Sequence, residues 1–294
     1  FEYAAATKRI DFVVTLKTPP TTVVKSNVIY NLDGVNVAIT SDHYPLYCDF
    51  KKPTGLEEYP KAEGDLRIGN YFLTYCKGTD GVIDYDRTGR IIAKMNADIV
   101  CLQGLDKETE RSEGIDQLNV LAQKANMHDY FAKAIDYKGG EFGVGILTKE
   151  EPVSVDRYQM AGKSEMRAAM VVEYEKFVVA STNFDTDMAK RIEALQTLET
   201  KLSAYNKPAF LLGYFNEGDL ESEFFQMVKS NWNLLSADKS TEVSGKKRRL
   251  DFIVSLKSHN VNVTQADVIE SLSGVDVTVA STHYPLFCDF SGLK

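Results

Sequence analysis

The chain has 294 residues, 44% of them apolar and 26% charged, which suits one large globular domain or two small ones with an ordinary core. Its formal net charge is −8, the wrong sign for neutralising phosphates, so a nucleic-acid partner is not expected. No apolar run approaches the roughly 20 residues that span a bilayer, so no transmembrane segment is expected. The opening Phe1-Glu2-Tyr3 shows neither an initiator Met nor a signal-peptide layout, and a processed or truncated product is expected.

The first 50 residues read as three strands: an apolar run at Phe12-Val13-Val14, a short one at Val28-Ile29, and a third ending in His43-Tyr44-Pro45-Leu46. Lys51-Lys52-Pro53-Thr54-Gly55 and the charged stretch to Glu63 read as a linker, placed at 53–61. Beyond it, Arg67 to Tyr75 has a strand pattern, Arg87 to Asn96 a helical one, and Ala97 to Gln103 reads as a buried strand. Gly114 to Ala125 is helical, Gly143 to Leu147 a strand, and Ala168–Glu173 with Lys176–Thr182 a hairpin. Met188 to Tyr205 is a long amphipathic helix with Leu195, Leu198 and Leu202 on one face. A strand at Ala209–Leu212 and a helix at Leu220–Lys229 follow. Three strands like the opening ones close the chain. Irregular alternation around a central hairpin predicts mixed sheets with helices outside, not a plain βαβ array.

The two ends are copies of each other. Thr7–Phe50 aligns without a gap to Lys247–Phe290 at an offset of 240, and 21 of the 44 positions are identical, far above the roughly one in twenty expected of unrelated sequence. RIDFVVTLK matches RLDFIVSLK, and SDHYPLYCDF matches STHYPLFCDF. The spacing is about one domain long. The expected organisation is therefore a C-terminal tail of a preceding copy at 1–52, the linker, and a complete domain at 62–294. The cysteines, Cys48, Cys76, Cys101 and Cys288, form no CxxC pair and no zinc spacing, and are expected to be free in the core. The run Lys246-Lys247-Arg248-Arg249 leads into an apolar strand and reads as its solvated entry.

Eight strings in one order carry a further resemblance: LTYC at 73–76, ADIVCLQG at 97–104, GGEFGVGILTK at 139–149, SEMRAAM at 164–170, STNFD at 181–185, LLGYFN at 211–216, RRLDFIV at 248–254 and STHYPL at 281–286. They resemble the endonuclease/exonuclease/phosphatase (DNase I-like) superfamily, and most of all its bacterial metal-dependent hydrolase and sphingomyelinase-like branch. The resemblance implies an α/β (α+β) four-layered sandwich, two mixed β-sheets packed together with helices outside. It also makes a cell-envelope or secreted setting the expectation.

In active relatives these strings hold a metal-dependent phosphodiesterase site. An Asn ends the first strand, a Glu after Leu-Gln binds the divalent cation, and a Thr-His string, a Gly-Asp-x-Asn string and a closing Asp-His pair complete it. Carboxylates suit a hard cation, which polarises the phosphoryl group while a His stabilises its charge. Matched position by position, this sequence has Cys76, Gly104, Asn183, Tyr214 and Thr282 where those groups would stand, and keeps Asn216, Asp251 and His283. Asp106 and Asp185 lie near enough in sequence to be weighed as substitutes, and Glu165 with Arg167 as a family motif or a simple salt bridge. The tail copy keeps Asp11, Asp42 and His43, as an active copy would.

The expectation is a catalytically inactive phosphodiesterase-like domain serving as a binding or assembly module, with no cofactor. The alternatives are a hydrolase with a divergent site, which would need Mg²⁺, and a non-catalytic domain of a larger tandem hydrolase. Self-association or a protein partner through the N-terminal strands is the expected interaction, because unpaired strands invite pairing.

Overall fold

The computed structural model describes residues 59–294 and, ahead of them, 22–30, 43–51 and the single positions Val13 and Val37. The expected strand at 12–14, Asp11 and Asp42 lie outside the described residues. The chain divides into two units, Phe1–Glu57 and Glu58–Lys294.

The second unit holds two six-stranded sheets. The first runs β13(Asn262–Val268)-β14(Leu286–Ser291)-β3(Leu66–Phe72)-β4(Ile99–Lys107)-β6(Gly140–Thr148)-β5(His128–Tyr137). The second runs β11(Trp232–Leu234)-β12(Asp251–Leu256)-β10(Ala209–Tyr214)-β9(Val178–Asn183)-β8(Arg167–Glu173)-β7(Ser154–Met160). Both are mixed: β3 and β4 are parallel, as are β9 and β10, while their other neighbours run antiparallel.

Side-chain alternation builds the layers. Leu66, Ile68, Ile99, Cys101, Phe210, Leu212, Ile253, Leu286, Cys288 and Phe290 form the core between the sheets. The opposite faces bury against helices. α1 (Tyr85–Met95) and α2 (Gln117–Ala125) cover the first sheet through Ile91, Ile92, Met95, Leu118 and Leu121. α3 (Met188–Leu202) and α4 (Glu223–Asn231) cover the second through Leu195, Leu198, Leu202, Phe224, Phe225 and Val228. This is a four-layered α/β sandwich. Each of these helices starts on a side-chain cap, Asp84, Asp116, Asp187 or Ser222, accepting the N–H three residues on. A four-residue helix, α5 (Val277–Ala280), precedes β14.

The elements depart from expectation in four places. The first strand ends at Phe72 instead of Tyr75, and the chain then turns through Thr74, Tyr75 and Cys76, all at positive φ. β4 runs on to Lys107 instead of stopping at Gln103. The last strand begins at Leu286 and does not end there, because Tyr284-Pro285 forms the approach to it. Strands β5, β7 and β11 were not anticipated. β7 has a largely exposed, polar edge pattern, and β11 is three residues long, so neither leaves an apolar run in the sequence.

The first unit contains an antiparallel hairpin, β1 (Thr22–Val28) with β2 (Leu46–Lys51). Its register is that of β13 with β14 at the offset of 240, including the irregularity at Val23/Lys25 that recurs at Val263/Gln265. Individual bonds recur too. Ile29 N–H donates to the Pro45 carbonyl at 2.7 Å, as Ile269 does to Pro285 at 2.8 Å.

Candidate functional site

The inward-facing residues at one end of the sandwich form the candidate site, and strand register fixes who stands there. Tyr214 pairs across to Asn183 on one side and Asp251 on the other, so these three form a row on the second sheet. On the first sheet Phe72 pairs with Gln103, and the loop before β14 brings in His283.

His283, only 5% exposed, sits 2.6 Å through Nδ1 from the fully buried Asp251 carboxylate. The other Asp251 oxygen is buried with no hydrogen-bond partner. Around this pair lie aromatic rings. Phe72 is 4.6 Å from Tyr214 and 4.8 Å from His283 between centroids, and Tyr214 is 4.8 Å from His283. Burial, with the Asp251 charge adding to it, raises the Tyr214 hydroxyl above its ordinary pKa. Three mutually packed rings, Phe72, Tyr214 and His283, thus stand at this end of the sandwich, the first two half-buried.

The expected site residues divide accordingly. Tyr214, Asn183, Asp251 and His283 come together. Asn216, at positive φ, donates to the Phe184 carbonyl at 2.7 Å and to Asn183 at 3.4 Å, while its own carbonyl accepts from Arg191. It holds the turn after β10. Thr282 pairs with Thr74 through their hydroxyls at 3.0 Å. Cys76 is not at the site: it is fully buried under the helices of the first sheet, and burial raises its thiol pKa. Phe72, four residues earlier, is the residue of that segment that reaches the site. The strand ends at Phe72, before Thr74-Tyr75-Cys76, whose residue types would suit a strand equally well.

Gly104 sits at φ +74 in an irregularity of the β4–β6 register. A Cβ there would stand 3.3 Å from the Phe72 ring and from the Thr74 nitrogen, a tight approach added to a backbone conformation that side chains rarely adopt. Asp106 is fully buried and held by both arms of Arg111 at 2.5 and 2.8 Å. Asp185 is likewise committed. Burial would raise its pKa, but the Asp187 N–H, the Arg167 guanidinium and the Lys163 N–H more than offset this and hold it low. Arg167 also pairs with Glu165 at 3.0 Å. Among the described residues no three of His, Cys, Asp or Glu cluster as a metal site requires. The one carboxylate in the row, Asp251, is engaged by His283 through a single oxygen.

Beside the row a cleft of about 460 Å³ is lined by Asn216, Asp219, Asp238, Lys247 and Arg249 among others. The basic run is accounted for there: Arg248 pairs with Glu242 at 2.7 Å and Arg249 with Asp238 at 3.2 Å. In the tail copy, His43 is exposed.

No helix of the described residues is long and apolar enough to cross a membrane. No family model matches the chain, and no curated protein matches it in sequence. Solved structures do match. An endonuclease/exonuclease/phosphatase protein from Beutenbergia cavernae is 19% identical with a TM-score of 0.65, over 79% of this chain and 73% of that one. A mannosyl-6-phosphatase from Bacteroides thetaiotaomicron is 15% identical with a TM-score of 0.61, over 76% and 99%. TDP2 of D. rerio, solved with a single-strand DNA product, is 16% identical with a TM-score of 0.60, over 78% and 100%. With the two six-stranded sheets and flanking helices, these likenesses show that the chain has the endonuclease/exonuclease/phosphatase, DNase I-like fold.

Proposed function

We propose that residues 59–294 are a non-catalytic form of this hydrolase fold, retained as a binding or assembly module. The observation that carries the reading is the ring cluster of Phe72, Tyr214 and His283 at the strand ends, over a Gly104 that has no side chain. A phosphodiesterase needs that space for carboxylates, a cation and the phosphoryl group. The packed rings stand where those groups would have to be placed.

One observation favours a second reading. The Asp251–His283 pair is the arrangement that orients an imidazole for phosphate chemistry, and an orphaned carboxylate oxygen marks buried polar groups under functional constraint. The same pair also satisfies two buried groups without any chemistry. Turnover of bis(p-nitrophenyl) phosphate and p-nitrophenyl phosphate, with Mg²⁺ or Mn²⁺, separates the readings. No release above the blank is expected. Metal-dependent release that disappears in a His283→Ala variant would overturn the proposal.

We read residues 1–52 as the end of a preceding copy of the same domain. The shared register, the shared irregularity and the matching backbone bonds of the two hairpins support this. Asp11, Asp42 and His43 would then belong to a copy whose site differs from the one at residues 59–294.

A further inference from the structure

The end of the sandwich away from His283 has a cavity of its own, of about 480 Å³, a size that suits a small ligand. It lies where β3 and β4 begin and β6 ends on one sheet, and where the chain turns from β8 into β9 on the other. Leu66, Ile99, Tyr174 and Phe177, all buried, give it apolar walls. The Tyr174 and Phe177 rings stack at 4.8 Å between centroids and form a flat aromatic surface.

The rim is charged, and its lysines gather on one point. The ammonium groups of Lys61, Lys294 and Lys149 lie 2.8, 2.9 and 3.6 Å from the Asp98 carboxylate. Asp98 also accepts the Arg67 N–H at 2.8 Å. The bland reading is a carboxylate that ties down the start of β4. That role needs one lysine, and Lys61, with a side chain only 11% exposed, already fills it. Lys149 and Lys294, more than a third exposed, add two positive charges that this carboxylate does not neutralise. Glu150 and Glu175 stand on the same rim. Both are exposed, and neither is in an ion pair with a described residue.

We infer that this cavity binds a small amphiphilic anion, with its apolar ring or chain against Tyr174 and Phe177 and its carboxylate, sulfonate or phosphate oxygens on Lys149 and Lys294. Exposed lysines alone hold a bare anion weakly. Apolar walls alone do not select for charge. The two side by side favour a molecule that carries both features. No residue of the His283 end takes part, so the inference is the same for a catalytic and a non-catalytic domain.

Anilinonaphthalene sulfonate, titrated into the intact chain and followed by its fluorescence, is the probe. Phenylnaphthylamine supplies the same rings without the charge. Saturation at one site per chain is expected, with the sulfonate bound about tenfold more tightly than the uncharged dye. Lys149→Gln should weaken the sulfonate about fivefold and leave the uncharged dye unchanged. The Lys149 side chain is 41% exposed, so its loss does not disturb the fold. Glu150→Gln, which removes an unpaired acid from the rim, should tighten the sulfonate slightly. Methanesulfonate, the charge without the rings, should fail to displace the dye at equal concentration. Equal affinity for the two dyes, binding without saturation, or a Lys149→Gln variant that binds like the parent overturns the inference. So does binding that is lost in Tyr214→Ala and kept in Lys149→Gln, which would place the dye on the ring cluster at the other end.

Discussion

The hairpins β1–β2 and β13–β14 have the same fold written in half-identical sequence, and they differ in what surrounds them. Cys288 is fully buried and Cys48 half-buried, while Asp289 is locked to Arg67 and Asp49 is exposed. The same side chain on the same strand position is a core element in one setting and a surface group in the other. Hairpin geometry is therefore local, set by pairing and by the irregularity near its middle, whereas the energetic weight of each residue is supplied by the strand next door.

Breaking the lock separates the two hairpins most sharply. Asp289→Asn leaves the buried Arg67 without its counter-charge and should cost about 3–5 kcal/mol. The matching Asp49→Asn should change stability by no more than about 0.5 kcal/mol, as surface substitutions do. Urea unfolding of both variants measures the difference, and equal losses would mean that Asp49 is already paired within this chain.

Next comes packing. Leu286→Ala removes a fully buried side chain between the sheets and should cost about 2–5 kcal/mol. Leu46→Ala, on a half-buried position, should cost well under that, about 1 kcal/mol. If Leu46→Ala proved as costly as Leu286→Ala, the edge of β2 would have to be covered in the chain as it stands.

What the sequence revealed follows the same division. The repeat, the fold and the helix-covered sheets were legible because strand alternation, helical spacing and Asp or Ser caps leave periodic traces. That Asn183, Tyr214, Asp251 and His283 stand together follows from strand register and the Asp251–His283 bond. The first string misled. Its β-prone residues run from Phe72 to Tyr75 with only Thr74, itself a common strand residue, between them, so nothing marks where the strand stops and the positive-φ turn begins. Nor could Gly104 and Phe72 be seen as one feature, since a ring filling the space over a glycine is a relation between two strands. The Arg67–Asp289 lock was hidden for the same reason: its partners are 222 positions apart.

Thiol chemistry gives a milder contrast. Burial raises the thiol pKa of Cys76 and Cys288 far above the ordinary value and pushes Cys101 up to about 12, so none of the three presents a thiolate at neutral pH. Cys48 is half-buried. A thiol-reactive chromophore should therefore label one cysteine per native chain within minutes and the other three only in denaturant, with the native label mapping to Cys48. Native protection of Cys48 would show that its side of β2 is covered in the native chain.

The smallest effect belongs to the site end of the second unit, where His283 is buried and its backbone forms a β-bridge with Glu242. The hydrogen bond from the Arg248 side chain, outweighing burial, holds the Glu242 carboxyl at about 2 instead of its usual 4.5. A depressed carboxyl contributes stability that is fully present above its unfolded pKa and is lost as pH falls through the folded one. The contribution of Glu242 should thus be constant above about pH 5 and vanish between 4.5 and 2. Arg248 is half-exposed, so solvent screening limits it to at most about 1 kcal/mol. Thermal unfolding of the wild-type chain and of Glu242→Gln should differ slightly at pH 6 and converge near pH 2. A gap that persists at pH 2 would mean that Glu242 acts through packing against the His283 loop and not through its charge.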